Sequence, residues 1–227
     1  MTLRVYEEME QGSDAWHQAR CGIITASVIG QLITTKTVKP ASNETARSLI
    51  RELTAQRITG HVEETYQSRD MERGVYDEPY ARDIYAEHYA PVTEVGFMVR
   101  EEADHIIGYS PDGLVGDDGL IEIKSRRQKV HLAHILDGEV PDANYAQLQC
   151  ALFVSGREWV DYCSFSAGMR LWVKRVYPEP RWFEAIEAVA LGFEAVAAEL
   201  TEKYEAATKG APETEYVDQL LGEGIVI

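Results

Sequence analysis

The chain has 227 residues, 45% of them hydrophobic and 26% charged, the proportions of a folded globular protein, which exclude a largely disordered one. No apolar run approaches the roughly 18–20 residues that span a bilayer, so neither a membrane-spanning helix nor a membrane partner is expected. Lys and Arg number 22 against 38 Asp and Glu, a net charge of −16, which as a bare sum argues against nucleic acid as a partner.

The distribution of that charge says more than its sum. Residues 61–104 hold twelve acids and four bases, and residues 197–227 seven acids and two bases. Leu120–His131 inverts the balance, with Lys124, Arg126, Arg127 and Lys129 against Glu122 alone. A phosphate site could therefore sit in one short basic segment of a surface that otherwise repels DNA. Met1–Gln11 carries Glu7, Glu8 and Glu10 and no apolar centre, so a signal peptide is not expected. Cys21, Cys150 and Cys163 are odd in number and far apart, which implies neither a disulfide framework nor a zinc or iron–sulfur site. A reducing cytoplasm is the expected location.

In chain order, Ser13 is placed to cap a first helix through Arg20, and Gly22 permits a turn. Thr25 or Ser27 is placed to cap a short helix through Ile33, and Thr34–Asn43, with Pro40 and no periodicity, reads as a mobile loop. Glu44–Thr59 carries the helical stripe Leu49, Ile50, Leu53 and Ile58, with Arg47 and Arg51 one turn apart on another face. Val75–Tyr89 is again helical, with the regular helix expected to begin at Pro79. Val92–Arg100, Ile106–Tyr109 and Leu120–Lys124 read as strands, the last after the Gly116-Asp117-Asp118-Gly119 turn. Asp142–Val154 is helical, Trp159–Phe165 and Leu171–Tyr177 are strands, and Pro180–Ala207 is one long helix before a poorly patterned tail at about 210–227. No repeat or linker divides the chain, so 1–227 is read as one domain with a mixed α/β sheet flanked by helices.

The stretch that carries chemistry is Tyr109-Ser110-Pro111-Asp112-Gly113, followed after a hairpin by Glu122-Ile123-Lys124. On a strand Glu122 and Lys124 share one face while Ile121 and Ile123 take the other. Asp112, at the end of the preceding strand, could reach the same place, bringing two carboxylates and an ammonium together. That oxygen-rich grouping suits a hard divalent cation such as Mg²⁺, with the lysine orienting a water or stabilising developing negative charge. Each part alone has a plainer explanation. Glu-x-Lys is common on solvated strand faces, and Asp-Gly after proline is an ordinary turn.

The arrangement resembles the PD-(D/E)xK nucleases, with Asp112, Glu122 and Lys124 as the named residues, and further blocks narrow the resemblance. Trp16-His17-x-x-Arg20-x-Gly22-x-Ile24-Thr25-Ala26-Ser27, Arg73-Gly74-x-x-x-Glu78-x-x-Ala81-Arg82 and Tyr145-x-Gln147-x-Gln149 are similar to signatures of the lambda exonuclease (YqaJ-type viral recombinase) family. The ordered blocks cover residues 13 to about 155, and the final helix and tail match weakly. The resemblance implies a restriction-endonuclease-like core. Asp112, Glu122 and the Ile123 carbonyl would ligate metal, Lys124 would be the catalytic lysine, Glu78 would complete the metal site as a further ligand or support it, and Gln147 would approach it from a helix. Arg20, Ser27 and Ser110, with a weaker contribution from Thr25, would hold a 5′-phosphate, and Trp16 is expected to be merely core. Two features depart from the family pattern: Pro79 directly follows Glu78, and Ser166-Ala167-Gly168 stands where relatives often carry Asp-Pro.

The resemblance further implies a Mg²⁺-dependent exodeoxyribonuclease, with Mn²⁺ substituting and two ions in the active complex. It would digest linear duplex DNA from 5′-phosphorylated ends and release 5′-mononucleotides. A ring-shaped homotrimer and a single-strand annealing partner for recombination are implied with it. Lys36, Lys39, Arg47 and Arg51 are candidate duplex-backbone contacts, although exposed loop lysines are usually just solvated. The alternatives are a resolvase-like or restriction-type endonuclease on the same core and, more remotely, a non-catalytic acidic DNA mimic.

Overall fold

A computed structural model describes residues 1–63 and 68–216. The chain runs through β1 (Thr2–Tyr6), α1 (Asp14–Arg20) and β2 (Ile24–Thr25), then a short 3-10 turn at Ile29–Gln31. The small β3 (Ile33–Thr34) and β4 (Lys39–Pro40) precede two helices, α2 (Glu44–Thr59) and α3 (Arg69–His88). The middle holds β5 (Val92–Thr93), β6 (Phe97–Glu101), β7 (Ile106–Tyr109), β8 (Gly113–Val115) and β9 (Gly119–Ser125). It ends with α4 (Gln128–Asp137), α5 (Asp142–Ser155), β10 (Trp159–Phe165), β11 (Trp172–Val176) and α6 (Pro180–Thr208). This is the mixed α/β architecture that the order of elements predicts. Residues 217–227 of the tail lie outside the described residues.

Two sheets meet end to end. One has the order β1-β6-β7-β2, the other β11-β10-β9-β8-β5. The chain passes between them in three residues, Ser110-Pro111-Asp112, from the end of β7 to the start of β8. In the second sheet β9 pairs antiparallel with β8 and parallel with β10. Its alternation divides two cores: Leu120 joins the main cluster under α2, α5 and α6, while Ile121 and Ile123 pack with Ala81 and Tyr85 of α3. Glu122 and Lys124 therefore share the Leu120 face, the face α5 covers.

Several boundaries differ from the sequence reading, each for a physical reason. α3 begins at Arg69, capped by Ser68, and continues through Pro79. Proline there removes an amide that would bond to Val75, but both residues are exposed, so water can serve the freed carbonyl. The single strand read over Val92–Arg100 is two, in different sheets, broken at Gly96, where a Cβ would lie 1.7 Å from the Met9 carbonyl oxygen. Thr34–Asn43 is no mobile loop: it contains the β3–β4 ladder, and Val38, at φ 50°, is buried in the main core. The helix expected after Ser27 shortens to the 3-10 turn, whose N-cap is Val28, so the Thr25 and Ser27 hydroxyls cap nothing. β1 and α4 were not read at all. β1 is exposed along its whole length, and α4 buries only His131.

Candidate active site

The residues brought together at the centre come from four elements. The β8–β9 ladder stops at Gly113 opposite Ile121, so the next amide on that edge, Ile123, donates instead to Asp112 Oδ2 at 2.6 Å. Gly113 has no room for a side chain: a Cβ would stand 2.2 Å from Val92 Cγ1. Glu122, 1% exposed, accepts from Lys124 Nζ at 2.6 Å and from Gln147 Nε2 of α5 at 2.5 Å, both at Oε1, and from the Tyr109 hydroxyl at 3.2 Å at Oε2. A buried carboxylate is tolerable only with such a set of donors.

Glu78 approaches from α3. Its carboxylate is paired with Arg82 one turn on, and the same guanidinium donates through Nε to the Asp112 carbonyl at 2.7 Å and reaches Glu94 at 2.7 Å. Arg82 is thus the strut between α3 and the sheet crossing. The family-like block contained it, but only Glu78 drew attention; its spacing of four from Glu78 was the available signal.

The electrostatics are those of crowded acids. Burial, then the neighbouring Glu122 and Glu78, push the Asp112 carboxyl well above its ordinary range. Burial also raises Glu78, with Arg82 opposing and Glu122 adding to the rise. At Lys124 burial alone would lower the pKa, but Glu122 and Asp112 outweigh it and the ammonium is held above its usual value. Carboxylates that raise one another's proton affinity, beside a strand carbonyl, form an all-oxygen donor set suited to a hard divalent cation. None of the three is free: Glu78 is engaged by Arg82, Asp112 by the Ile123 amide, and Glu122 by Lys124, Gln147 and Tyr109, so an ion would have to replace or share these donors. Among the described residues, no three His, Cys, Asp or Glu side chains are already gathered in metal-holding geometry.

A second group lies at the other side of the sheet crossing. Arg20, at the end of α1, donates to Ser110 Oγ at 3.0 Å, Ser27 Oγ at 3.3 Å and Thr25 Oγ1 at 3.5 Å. Its guanidinium stacks 4.0 Å from the Trp16 ring centre, and Trp16 Nε1 donates to Ser110 Oγ at 2.9 Å. Trp16 is therefore half-exposed and part of this group, not the core residue expected. No carboxylate pairs with Arg20 among the described residues, and burial lowers its pKa to about 10. A desolvated guanidinium ringed by hydroxyls, with no carboxylate partner, has the donor chemistry that an anion such as a phosphate requires.

Lys36 and Lys39 stand exposed near the β3–β4 hairpin. Arg47 and Arg51 lie on α2, each tied to Glu44. None of the four hydrogen-bonds or pairs with the carboxylate group or with the Arg20 group.

The fold and the chain match solved exonucleases. An alkaline exonuclease (LHK-Exo) from Laribacter hongkongensis superposes with a TM-score of 0.75 and 31% identity over 86% of this chain and 99% of that one. LHK-Exo in complex with dAMP gives 0.76 and 30%, over 86% and 98%. A phage-related exonuclease from Haemophilus somnus, at 12% identity and a TM-score of 0.60 over 80% and 96%, shares the fold. No significant sequence match was found among functionally curated proteins. The model of the YqaJ-like viral recombinase domain matches residues 15–158, a span that begins one residue before Trp16 and encloses the Arg20 group and the whole carboxylate centre, and the chain belongs to that family.

Proposed function

We propose that this protein is a Mg²⁺-dependent exodeoxyribonuclease. It would digest one strand of linear duplex DNA from a 5′-phosphorylated end, release 5′-mononucleotides and leave a 3′ single strand for annealing. The observation that carries the reading is the spacing of the two groups: Ser110 closes the Arg20 group and Asp112 opens the carboxylate centre, two residues apart on one short crossing. An end-recognition site joined so closely to a cleavage centre suits removal of the terminal residue of a strand. Likeness to LHK-Exo, named an alkaline exonuclease and solved once with dAMP, supports the same substrate class and a mononucleotide product.

Asp112, Glu122 and the Ile123 carbonyl would hold the cation, with Mn²⁺ able to substitute and a second ion joining in the DNA complex. A bound Mg²⁺ supplies Lewis-acid stabilisation of phosphoryl charge and a water of lowered pKa. The chain's own groups do the rest. Lys124, kept charged by Glu122 and Asp112, offers a cation to the developing negative charge on the scissile phosphate. Gln147 and Tyr109 hold Glu122 in one orientation, so its oxygens do not turn away from the site. Arg82 fixes Glu78 and the Asp112 backbone together. Arg20 and its hydroxyls orient the terminal phosphate, which positions the next phosphodiester for attack.

The resemblance to lambda exonuclease extends the proposal to a ring-shaped homotrimer around DNA, a single-strand annealing protein as partner, and a cytoplasmic location. No helix among the described residues is long and apolar enough to cross a membrane. The test is digestion of linear duplex DNA, separately labelled at each end, and of covalently closed circles, by the native protein and Lys124→Ala with Mg²⁺. Loss of the 5′ label as mononucleotide, intact circles and an inactive variant are expected. Cut circles would support an endonuclease, and no cleavage of either substrate would return the acidic non-catalytic reading.

A further inference from the structure

A cleft of about 500 Å³ opens beyond the other end of the catalytic strand, lined by Arg73, Arg126, Arg127, Lys129 and Ser166, with Asp77 its one acid. Four cations in one cleft stand out on a chain of net charge −16. Only part of this charge is neutralised internally. Arg73 and Arg127 share the exposed Asp70, whereas Arg126 Nη2 meets only the neutral Asn144 (2.9 Å) and Tyr162 (3.4 Å), and Lys129 has no carboxylate partner among the described residues. The Nε of Arg126 is buried without a hydrogen-bond partner. α4 starts in the same place, and its N-cap, Arg127, provides no side-chain acceptor for the first helical amides. The cations and the uncapped helix start both favour the same thing, an anion with several oxygens.

The position of the cleft says which anion. Arg126 follows Lys124 by two residues, just past the end of β9, and its guanidinium meets Asn144 of α5 and Tyr162, the partner of Glu122 in the β9–β10 ladder, so it reaches the side that α5 covers, about 6.6 Å along an extended backbone. That is close to the separation of neighbouring phosphates on one DNA strand. At the opposite end Ser110 precedes Asp112 by the same two residues. Resting on the exonuclease reading, we infer that the Arg126–Arg127–Lys129 cleft binds the phosphodiester next to the scissile one. The digested strand is then gripped at three consecutive phosphates: the terminal one at Arg20, the scissile one at the carboxylates, and the third in this cleft.

The test is equilibrium binding by fluorescence anisotropy, with divalent cations chelated, over a salt series. It compares the native protein with the double variant Arg127→Ala/Lys129→Ala on a 5′-phosphorylated duplex. A second duplex carries an uncharged methylphosphonate at the second internucleotide position of the 5′-phosphorylated strand. The slope of log K against log salt should fall in magnitude by about 0.9 for each phosphate no longer neutralised. The methylphosphonate should produce the same fall in the native protein and no further fall in the variant. Arg127→Lys/Lys129→Arg, which keeps the charge, should retain the native slope, separating charge from any folding defect. An unchanged slope in the alanine variant, or a methylphosphonate effect of equal size in both proteins, would overturn the inference. Failure of the native protein to digest linear DNA would instead remove the exonuclease reading, and digestion with an unchanged slope would remove the cleft alone.

Discussion

Replacing Arg20 by Ala tests the proposed end-recognition site most directly. In the native protein the guanidinium is partly buried, faces three hydroxyls and has no carboxylate among the described residues, so its charge is held available. A phosphate accepting two of its N–H groups would gain hydrogen bonds to a charged donor, worth about 1.5–3 kcal/mol each. Because the site opens to solvent, the lower end applies, about 3 kcal/mol for the pair, or roughly 150-fold in kcat/KM. Duplexes with a 5′-hydroxyl end cannot use the contact and should change by no more than about threefold. Arg20→Lys, which keeps the charge but loses the planar fork, should fall between native and Ala on phosphorylated ends. The assay is steady-state release of a 5′-terminal label from matched phosphorylated and hydroxyl duplexes, with thermal melting to confirm that the Trp16 stack is not needed for folding. Equal losses on both ends would mean that Arg20 acts only structurally. No loss on either would remove it from the site.

Two further outcomes are expected. Asp112 and Glu78 have raised pKa values in the folded state, so the native chain keeps protons the unfolded chain has released, and these groups destabilise it as pH climbs above the ordinary carboxylate range. Mg²⁺ should relieve that, raising Tm more at pH 8.5 than at pH 5.5. At a hundredfold excess over Kd the gain is about 2.7 kcal/mol, or roughly 5–10 °C for a chain of this size; an equal shift at both pH values would show that the ion binds elsewhere. Arg82→Ala leaves the Glu78 carboxylate and the Asp112 carbonyl without their shared donor. As Arg82 is 13% exposed and Glu78 30%, the destabilisation should be about 1–3 kcal/mol, seen as a lower urea midpoint at unchanged m-value, and a loss under about 0.5 kcal/mol would refute the strut.

The sequence was most readable where a local pattern and a local structure coincide. α2 and β10 fall on the residues expected, and β9 was placed within a residue at each end, because a Gly-bounded turn and strict alternation define it. Elements stabilised by something other than an apolar stripe were not readable. α4 exposes Val130, Leu132 and Leu136 and buries a histidine, so no periodicity marks it. β1 is an edge strand whose reason to exist is the β6 ladder, a partner more than ninety residues away. Asp112, Glu122 and Lys124 were legible as a hairpin pattern, and the Arg20 group through family-like spacing. Arg82 and Tyr109 stand inside the same stretches, but their contacts do not follow from spacing, because each depends on where the chain crosses from one sheet to the other. Trp16 was misjudged for a related reason: an indole reads as core until a guanidinium is found lying on it.

The short crossing Ser110-Pro111-Asp112 has a consequence for the product. Proline fixes φ at the centre of the crossing, and Gln11 and Arg82 hold the Pro111 and Asp112 carbonyls, so on the proposed reading the distance from a seated strand end to the carboxylates is set by a braced segment of chain. On the proposed reading, the protein works as a ruler one nucleotide long. It counts from the end it holds and needs no information from the bases, and each cut creates a new end that must be seated before the next measurement can begin.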